Sequence, residues 1–274
     1  MIKSGLETKS VLLVGAGKMG GAMLRGWIDR GLTQAVVIEP GGPALPSGTA
    51  KSLLQIADAK DLPGDFKADV VVLAVKPQVM EAVAPSFKRF AEANAVIVSI
   101  AAGKTIAGFE KHFGSEAAIV RSMPNLPASI GQGITVACAN AKVSPAQRDL
   151  ATALLSACGE VAWVEDEALI DPVTALSGGG PAYVFLLIEA LAAAGEKLGL
   201  APDLAMRLAR VTVSGSGALV AHSDLAAADL RKAVSSPGGT TLAALGVLMD
   251  KDGLQPLFDK ALAAATTRAR ELAS

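Results

Sequence analysis

The sequence predicts a doubly wound α/β domain followed by an all-helical domain, and three observations carry that prediction. Short, continuously apolar runs rich in Val and Ile recur through roughly the first 165 of the 274 residues. Helical stretches separate them, the pattern of a parallel sheet covered by helices on both faces. Beyond that point the β signal disappears and the apolar positions fall into long helical patterns.

The strand candidates are VLLVG (Val11–Gly15), AVVIE (Ala35–Glu39), VVVLAV (Val70–Val75), VIVSI (Val96–Ile100) and AIVR (Ala118–Arg121). Their continuous apolarity suits strands buried on both faces. ITVAC (Ile134–Cys138) and VAWV (Val161–Val164) read as two more. Between them Ser144-Pro145 is an N-cap with a first-turn proline and Gly159 is a stop, so a helix intervenes. In the second half Asp171-Pro172 reads as another N-cap and proline, opening a helix that ends near Gly199. Pro202 opens the next, and Thr241–Met249 and Leu254–Leu272 supply two more, separated by Asp252-Gly253. Alanine is abundant here and aromatic residues are 4% of the chain, so the helices are expected to approach closely, in a bundle or a dimer interface. The domain boundary is placed near residue 165.

Composition narrows the function. Hydrophobic residues are 51% and charged residues 19%, enough for a sizeable core. A net charge of −1 offers no basic footprint for nucleic acid or anionic lipid. Two cysteines, Cys138 and Cys158, are too few for a disulfide framework or a zinc cluster and fit a reducing cytoplasm. The first ten residues, MIKSGLETKS, lack the apolar stretch of a secretory signal. Mean hydropathy is positive, so a membrane span has to be considered. The longest uncharged window, Ser122–Ala141, has the ~20 residues a span needs, but it carries Pro124, Pro127, Gly131 and Gly133. Two others, Pro172–Ile188 and Ala233–Met249, are broken by GGGP and SSPGGTT. No membrane span is expected. His112 and His222 sit at the ends of helical patterns, outside any ligand spacing, and no metal site is expected.

Within VLLVGAGKMGGAM, Gly15-x-Gly17-x-x-Gly20 falls between a strand and a helix, the context of a Rossmann-type dinucleotide fingerprint. Gly15 permits the tight turn, Gly17 lets the backbone approach a pyrophosphate, and Gly20 lets helix and strand pack closely. Glu39 ends the second strand, 22 residues after Gly17, where a carboxylate accepts hydrogen bonds from adenine-ribose hydroxyls and repels a 2′-phosphate. In the following EPGGPALPSGTAKS only Lys51 is available to help such a phosphate, so the residues lean towards NADH. AVKPQ (Ala74–Gln78) and Ser99–Gly103 end the third and fourth strands, where open α/β sheets bind ligands, with Lys76 placed to meet cofactor phosphate or ribose. SMPNLP (Ser122–Pro127) is a proline-fixed loop after the fifth strand, near where a nicotinamide ring would lie or simply a structural turn. SGGGPAY (Ser177–Tyr183) places three glycines and a proline inside a helical pattern, which suits close approach of either a ligand or another helix. In SSPGGTTLAAL (Ser235–Leu245) a Pro-Gly-Gly loop runs into a helix, either as an anion cradle or as an ordinary cap at Thr240.

GAGKMGGAM, LAVKPQ, ALSGGGPAYVFLLIEAL and VSSPGGTTLAAL, in this order, resemble the Δ1-pyrroline-5-carboxylate reductase family from Val11 to Leu272. The resemblance implies an N-terminal Rossmann domain over residues 1–165 and a helical substrate-binding and dimerisation domain over residues 166–274. It implies reduction of the cyclic imine 1-pyrroline-5-carboxylate to L-proline with NADPH or NADH, in a homodimer or a ring of dimers. It puts the cofactor on Val14, Gly15, Ala16, Gly17, Lys18, Met19, Gly20, Glu39, Ala74, Val75, Lys76, Pro77, Ile100, Ala101, Ala102 and Asn125. It puts the substrate on Ser236, Gly238, Gly239, Thr240, Thr241 and Asp224, with its carboxylate on the amides of Gly239–Thr241 and the Thr241 hydroxyl, the catalytic group, near the ring nitrogen. The chain departs from the family where Leu126 replaces a usual threonine, Gly179 a usual serine, Asp224 a glutamate of some relatives, and Glu39 the serine or threonine of 2′-phosphate binders.

The residues themselves agree with an imine. Alcohol dehydrogenation needs a positioned base, and after SGGGPAYVFLLIEAL no lysine appears until Lys197. A protonated imine is already an electrophile and needs mainly orientation and a hydrogen bond at nitrogen. Two alternatives stand beside this reading: a reductase of a related cyclic imine, and a non-enzymatic dinucleotide sensor.

Overall fold

A computed structural model describes residues 6–42, 45 and 52–273. The chain divides into two compact units, Met1–Gly178 with Ala265–Ser274, and Gly179–Ala264.

The first unit is built on an eight-stranded sheet in the order β3-β2-β1-β4-β5-β6-β7-β8. Its strands are β1 (Ser10–Val14), β2 (Gln34–Ile38), β3 (Leu53–Ile56), β4 (Val70–Leu73), β5 (Val96–Ser99), β6 (Ile119–Met123), β7 (Gly133–Ala139) and β8 (Gly159–Trp163). β1 pairs in parallel with β2 on one side and β4 on the other, so the chain winds outward in both directions from β1. That reversal opens the crevice at the carboxyl ends of β1 and β4 where α/β sheets bind ligands.

The strands read as continuous apolar runs because each serves two cores. Val11, Leu13, Val70 and Val72 face the cluster with Met23, Leu24, Trp27 and Leu154. Leu12, Val14, Val71 and Leu73, one residue out of phase, face Met80, Phe87, Phe90 and Phe109. Each such fully buried side chain contributes about 1.5–3 kcal/mol of transfer free energy. The helices covering the sheet are α1 (Lys18–Asp29), α2 (Met80–Val83), α3 (Lys88–Glu92), α4 (Ile106–Phe113) and α5 (Pro145–Leu155). α5 starts as read, with Ser144 and Gln147 forming a reciprocal capping box and Pro145 in the first turn. The buried Trp27 indole N–H donates to Leu154 O at 2.8 Å, joining α1 to the end of α5.

Two features of the sheet were not legible in the runs. β3 (LLQI) is an edge strand whose alternating, half-exposed residues carry little of the apolar signal. β7 pairs antiparallel with β6, because the short connection through a 3₁₀ turn at Leu126–Ile130 has no crossover helix to return it in parallel.

Asp171 is a correction. It does not cap a helix: the turn starts earlier, at Asp166, whose carboxylate accepts from Ala168 N–H. Asp171 lies inside α6 (Ile170–Val173) and pairs with the buried Arg121 of β6. Pro172 is tolerated because it lies within that first turn. A π-helical segment, Thr174–Gly178, follows.

The second unit comprises α7 (Gly180–Lys197), α8 (Pro202–Ala221), α9 (Ala227–Ala233), α10 (Thr240–Leu248) and the start of α11 (Leu254–Ala273). Pro202 and Gly199 punctuate the chain as expected; Gly199 adopts φ +93°, and its N–H donates to Glu196 O. α7 and α8 approach through small residues: a Cβ at Gly195 would stand 3.3 Å from the Ala205 methyl. The buried side chains of α7 and α8 are Pro181, Ala192, Ala205 and Ala209. The larger apolar ones, among them Phe185, Leu186, Val211, Val247 and Phe258, are exposed. Four small residues make little core for five helices, and the exposed apolar surface of this unit is of the kind that marks an interaction site.

Candidate active site

The fingerprint turn is built as its glycines require. Gly15 has φ +90°, and a Cβ there would meet the Ala74 carbonyl at 2.9 Å. A Cβ on Gly20 would collide with Gly15 O, so helix and turn pack on bare backbone. Gly17 faces open space, with nothing within 4 Å of a would-be Cβ. It is the N-cap of α1, and no side chain caps that helix. The first-turn amides of α1 therefore open onto a space suited to phosphate charge.

Around this turn lies a cleft of about 710 Å³ whose lining includes Val14, Gly15, Gly17, Glu39, Ala74, Val75 and Lys76. A neighbouring cleft of about 350 Å³ is lined by Met19, Ala74–Pro77, Ile100–Ala102, Met123–Leu126 and Gly178. The loops after β1, β2, β4, β5 and β6 thus converge, bringing the expected cofactor residues to one edge of the sheet. The open approach at Gly17, the uncapped helix and the paired clefts fit an extended dinucleotide. Lys18 and Lys76 are exposed, and Lys76 lines both clefts. Lys51 lies outside the described residues.

Glu39 is more constrained than a solvated carboxylate at a strand end. Its Oε2 accepts from Ala16 N–H at 2.7 Å and its Oε1 from Gly41 N–H at 2.8 Å. The side chain therefore ties the fingerprint turn to the end of β2 and holds a negative charge beside it.

Asn125 is also fixed. Its Oδ1 accepts from Ile134 N–H at 3.0 Å, so its amide nitrogen faces the other way and donates to Ser177 Oγ at 3.3 Å. Arg121, two residues before the Met123 end of β6, is 3% exposed. It donates to Glu167 Oε1 at 2.9 Å and Asp171 Oδ1 at 3.0 Å. Glu167 Oε1 also accepts from Ile106 N–H at the start of α4. Sequence reasoning missed this cluster. The available signal was an arginine inside an otherwise apolar strand, which demands a carboxylate partner.

In the second unit, Ser236, Gly238, Gly239, Thr240 and Thr241 form the loop and first turn of α10. Gly239, not Thr240, occupies the N-cap, and no side-chain cap bond is made. Gly238 has φ +71°. Gly239 N–H donates to Ser236 O at 3.0 Å and is committed within the loop. The amides left for an anion are those of Thr240 and Thr241. Asp224 lies exposed in the loop between α8 and α9.

The histidines have local roles. His112 Nε2 lies 2.8 Å from Glu81, and His222, the C-cap of α8, has Nδ1 2.8 Å from Ala218 O.

Comparison with known proteins agrees with this geometry. A family model described as pyrroline-5-carboxylate reductase dimerisation matches residues 167–272, and one described as NADP oxidoreductase coenzyme F420-dependent matches residues 10–103. The pyrroline-5-carboxylate reductase of Pseudomonas aeruginosa is 40% identical over 98% of both chains. A pyrroline-5-carboxylate reductase structure from Coxiella burnetii superposes with a TM-score of 0.89 at 38% identity, covering 97% of this chain and 99% of that one. The Plasmodium falciparum pyrroline carboxylate reductase, solved with NADP bound, gives 0.81 at 29% identity, covering 98% and 100%.

Proposed function

The chain belongs to the pyrroline-5-carboxylate reductase family, and from that premise we propose that it reduces 1-pyrroline-5-carboxylate to L-proline with NAD(P)H, the last step of proline biosynthesis. The observation that carries the reading is the pairing, in one chain, of an open fingerprint cleft with a Pro-Gly-Gly loop whose helix begins with uncapped amides.

NAD(P)H, when bound, supplies the hydride. Every other contribution comes from the chain. Gly15, Gly17 and the first-turn amides of α1 hold the pyrophosphate, Glu39 takes the adenine-ribose hydroxyls, and Lys76 adds a positive charge at the rim. The amides of Thr240 and Thr241 grip the substrate carboxylate, with Ser236, Gly238 and Gly239 shaping the loop and Asp224 contacting the substrate. The Thr241 hydroxyl makes the hydrogen bond at the ring nitrogen. Because a protonated imine is already electrophilic, this orientation and polarisation suffice without a strong acid. The hydride ends on the imine carbon, and nitrogen keeps its proton as the amine.

Residues 1–165 bind the dinucleotide, and residues 166–274 bind substrate and dimerise. The exposed side chains of α7, α8 and α10 are covered by a second copy, giving a homodimer that can build into a ring. The helical stretch Glu167–Lys197 is long and apolar enough to cross a bilayer. Its Asp171–Arg121 ion pair, its GGGP interruption and the dimerisation model that spans it support a protein partner instead, in a soluble, cytoplasmic enzyme.

The test is oxidation of NADH and NADPH followed at the nicotinamide absorbance with racemic 1-pyrroline-5-carboxylate. Rapid turnover is expected. No turnover, in protein shown to bind the cofactor, would turn the assignment to other cyclic imines and then to a sensor. Light scattering in detergent-free buffer should give at least a dimer.

A further inference from the structure

Ser177 is the residue of the GGGP-containing segment that the reading above leaves without a task. It lies in the π-helical turn Thr174–Gly178, a backbone form concentrated at functional sites. Two anchors hold that turn: the Arg121–Asp171 ion pair just before it, and Gly178, where a Cβ would collide with the Met123 methyl. Its neighbours Asn125, in space, and Gly178, in sequence, both line the smaller cleft.

The hydrogen bonding around Ser177 is directional. Ile134 N–H occupies the Asn125 carbonyl oxygen, so the Asn125 amide can only donate to Ser177. Ser177 Oγ is thereby an acceptor, and its own proton has no acceptor among the described residues. A hydroxyl that accepts from a fixed amide is polarised towards donating onward. On this side the cleft is formed by Met123, Pro124, Asn125, Leu126 and Gly178, none of them charged. The polar groups beside these apolar walls are neutral donors, the second Asn125 N–H and the adjoining Ser177 hydroxyl, which matches a flat ring carrying one carbonyl. A carboxylate would call for charge or several amides.

We propose that Ser177 is a cofactor-binding residue, donating its hydroxyl proton to the carboxamide oxygen of the nicotinamide ring. The inference rests on the reductase reading above, because it needs a nicotinamide at the β6 end of the cleft. It assigns to Asn125 the positioning of Ser177.

The experiment compares direct binding of NADH and of ADP-ribose, which lacks the nicotinamide, to wild type, Ser177→Ala and Ser177→Thr, by calorimetry. Ser177→Ala should weaken NADH about fivefold to tenfold, the loss of one neutral hydrogen bond, and leave ADP-ribose unchanged. Ser177→Thr should restore NADH binding. Equal weakening of both ligands would mark Ser177 as merely structural, and unchanged NADH binding would remove it from the site; either result overturns the proposal. Circular dichroism and the ADP-ribose titration together report whether the variant is folded. Wild-type turnover of 1-pyrroline-5-carboxylate is measured separately, so failure of the reductase assignment would show there and not in the binding comparison.

Discussion

Replacing Glu39 tests how this chain chooses between NADH and NADPH. Its carboxylate is held beside the fingerprint turn by the Ala16 and Gly41 amides, at 2.7 and 2.8 Å, so it cannot swing away from an incoming 2′-phosphate. A phosphate monoester carries about two negative charges at neutral pH. At a separation of about 5 Å in solvent-like surroundings, the repulsion is about 1.5 kcal/mol, or roughly tenfold in affinity. Glu39→Ser removes that repulsion and both amide contacts. The ratio of kcat/KM for NADPH to that for NADH should therefore rise about tenfold or more, with NADH itself weakened. Glu39→Gln removes the charge but keeps an oxygen for Ala16 N–H, so the ratio should shift similarly with a smaller loss for NADH. Steady-state kinetics with both cofactors at saturating imine reads both effects. A ratio unchanged in both variants would show that Glu39 acts only on the backbone and does not meet the ribose.

The remaining expectations are narrower. Thr241→Ala should lower kcat about tenfold, the scale of one hydrogen bond in the transition state, while NADH affinity stays within twofold of about its starting value; equal loss in both would remove Thr241 from the imine nitrogen. Arg121→Met leaves Glu167 and Asp171 without their cation and should destabilise the fold by about 3–5 kcal/mol in urea unfolding, and a cost below about 1 kcal/mol would mean that the cluster is worth no more than a surface pair. Gly20→Ala forces a methyl into Gly15 O and should cost about 1–3 kcal/mol together with cofactor affinity; normal NADH binding by calorimetry would contradict the tight turn. Burial pushes the Cys138 and Cys158 thiols up, so both stay protonated as pH rises through the ordinary thiol range. Their stabilising contribution is present below the unfolded thiol value and lost as pH climbs towards the raised one. At pH 8, native protein should resist a disulfide-exchange reagent, both thiols reacting only in denaturant; fast reaction of either in the native state would refute the burial argument.

The sequence by itself determined the sheet's two-sided core, the fingerprint and the order of the functional loops. Val11–Val14 and Val70–Leu73 are apolar at every position because both faces are covered, and that requirement is written locally. Gly15, Gly17 and Gly20 are legible because their spacing between a strand and a helix is itself local, and Gly20 answers a steric demand set by Gly15 a turn away. Tertiary structure decided what depends on distant partners. The Leu53–Ile56 edge strand is defined by pairing with β2 and not by its own composition. Asp171 looks like a cap beside Pro172, yet becomes an ion-pair partner because folding brings it to Arg121, fifty residues earlier. The cleft's directional chemistry arises the same way, from Ile134 turning Asn125 towards Ser177. A side chain's local preference is carried by its neighbours in the chain, but the partner that satisfies a buried charge or amide is chosen only when the chain has folded back upon itself.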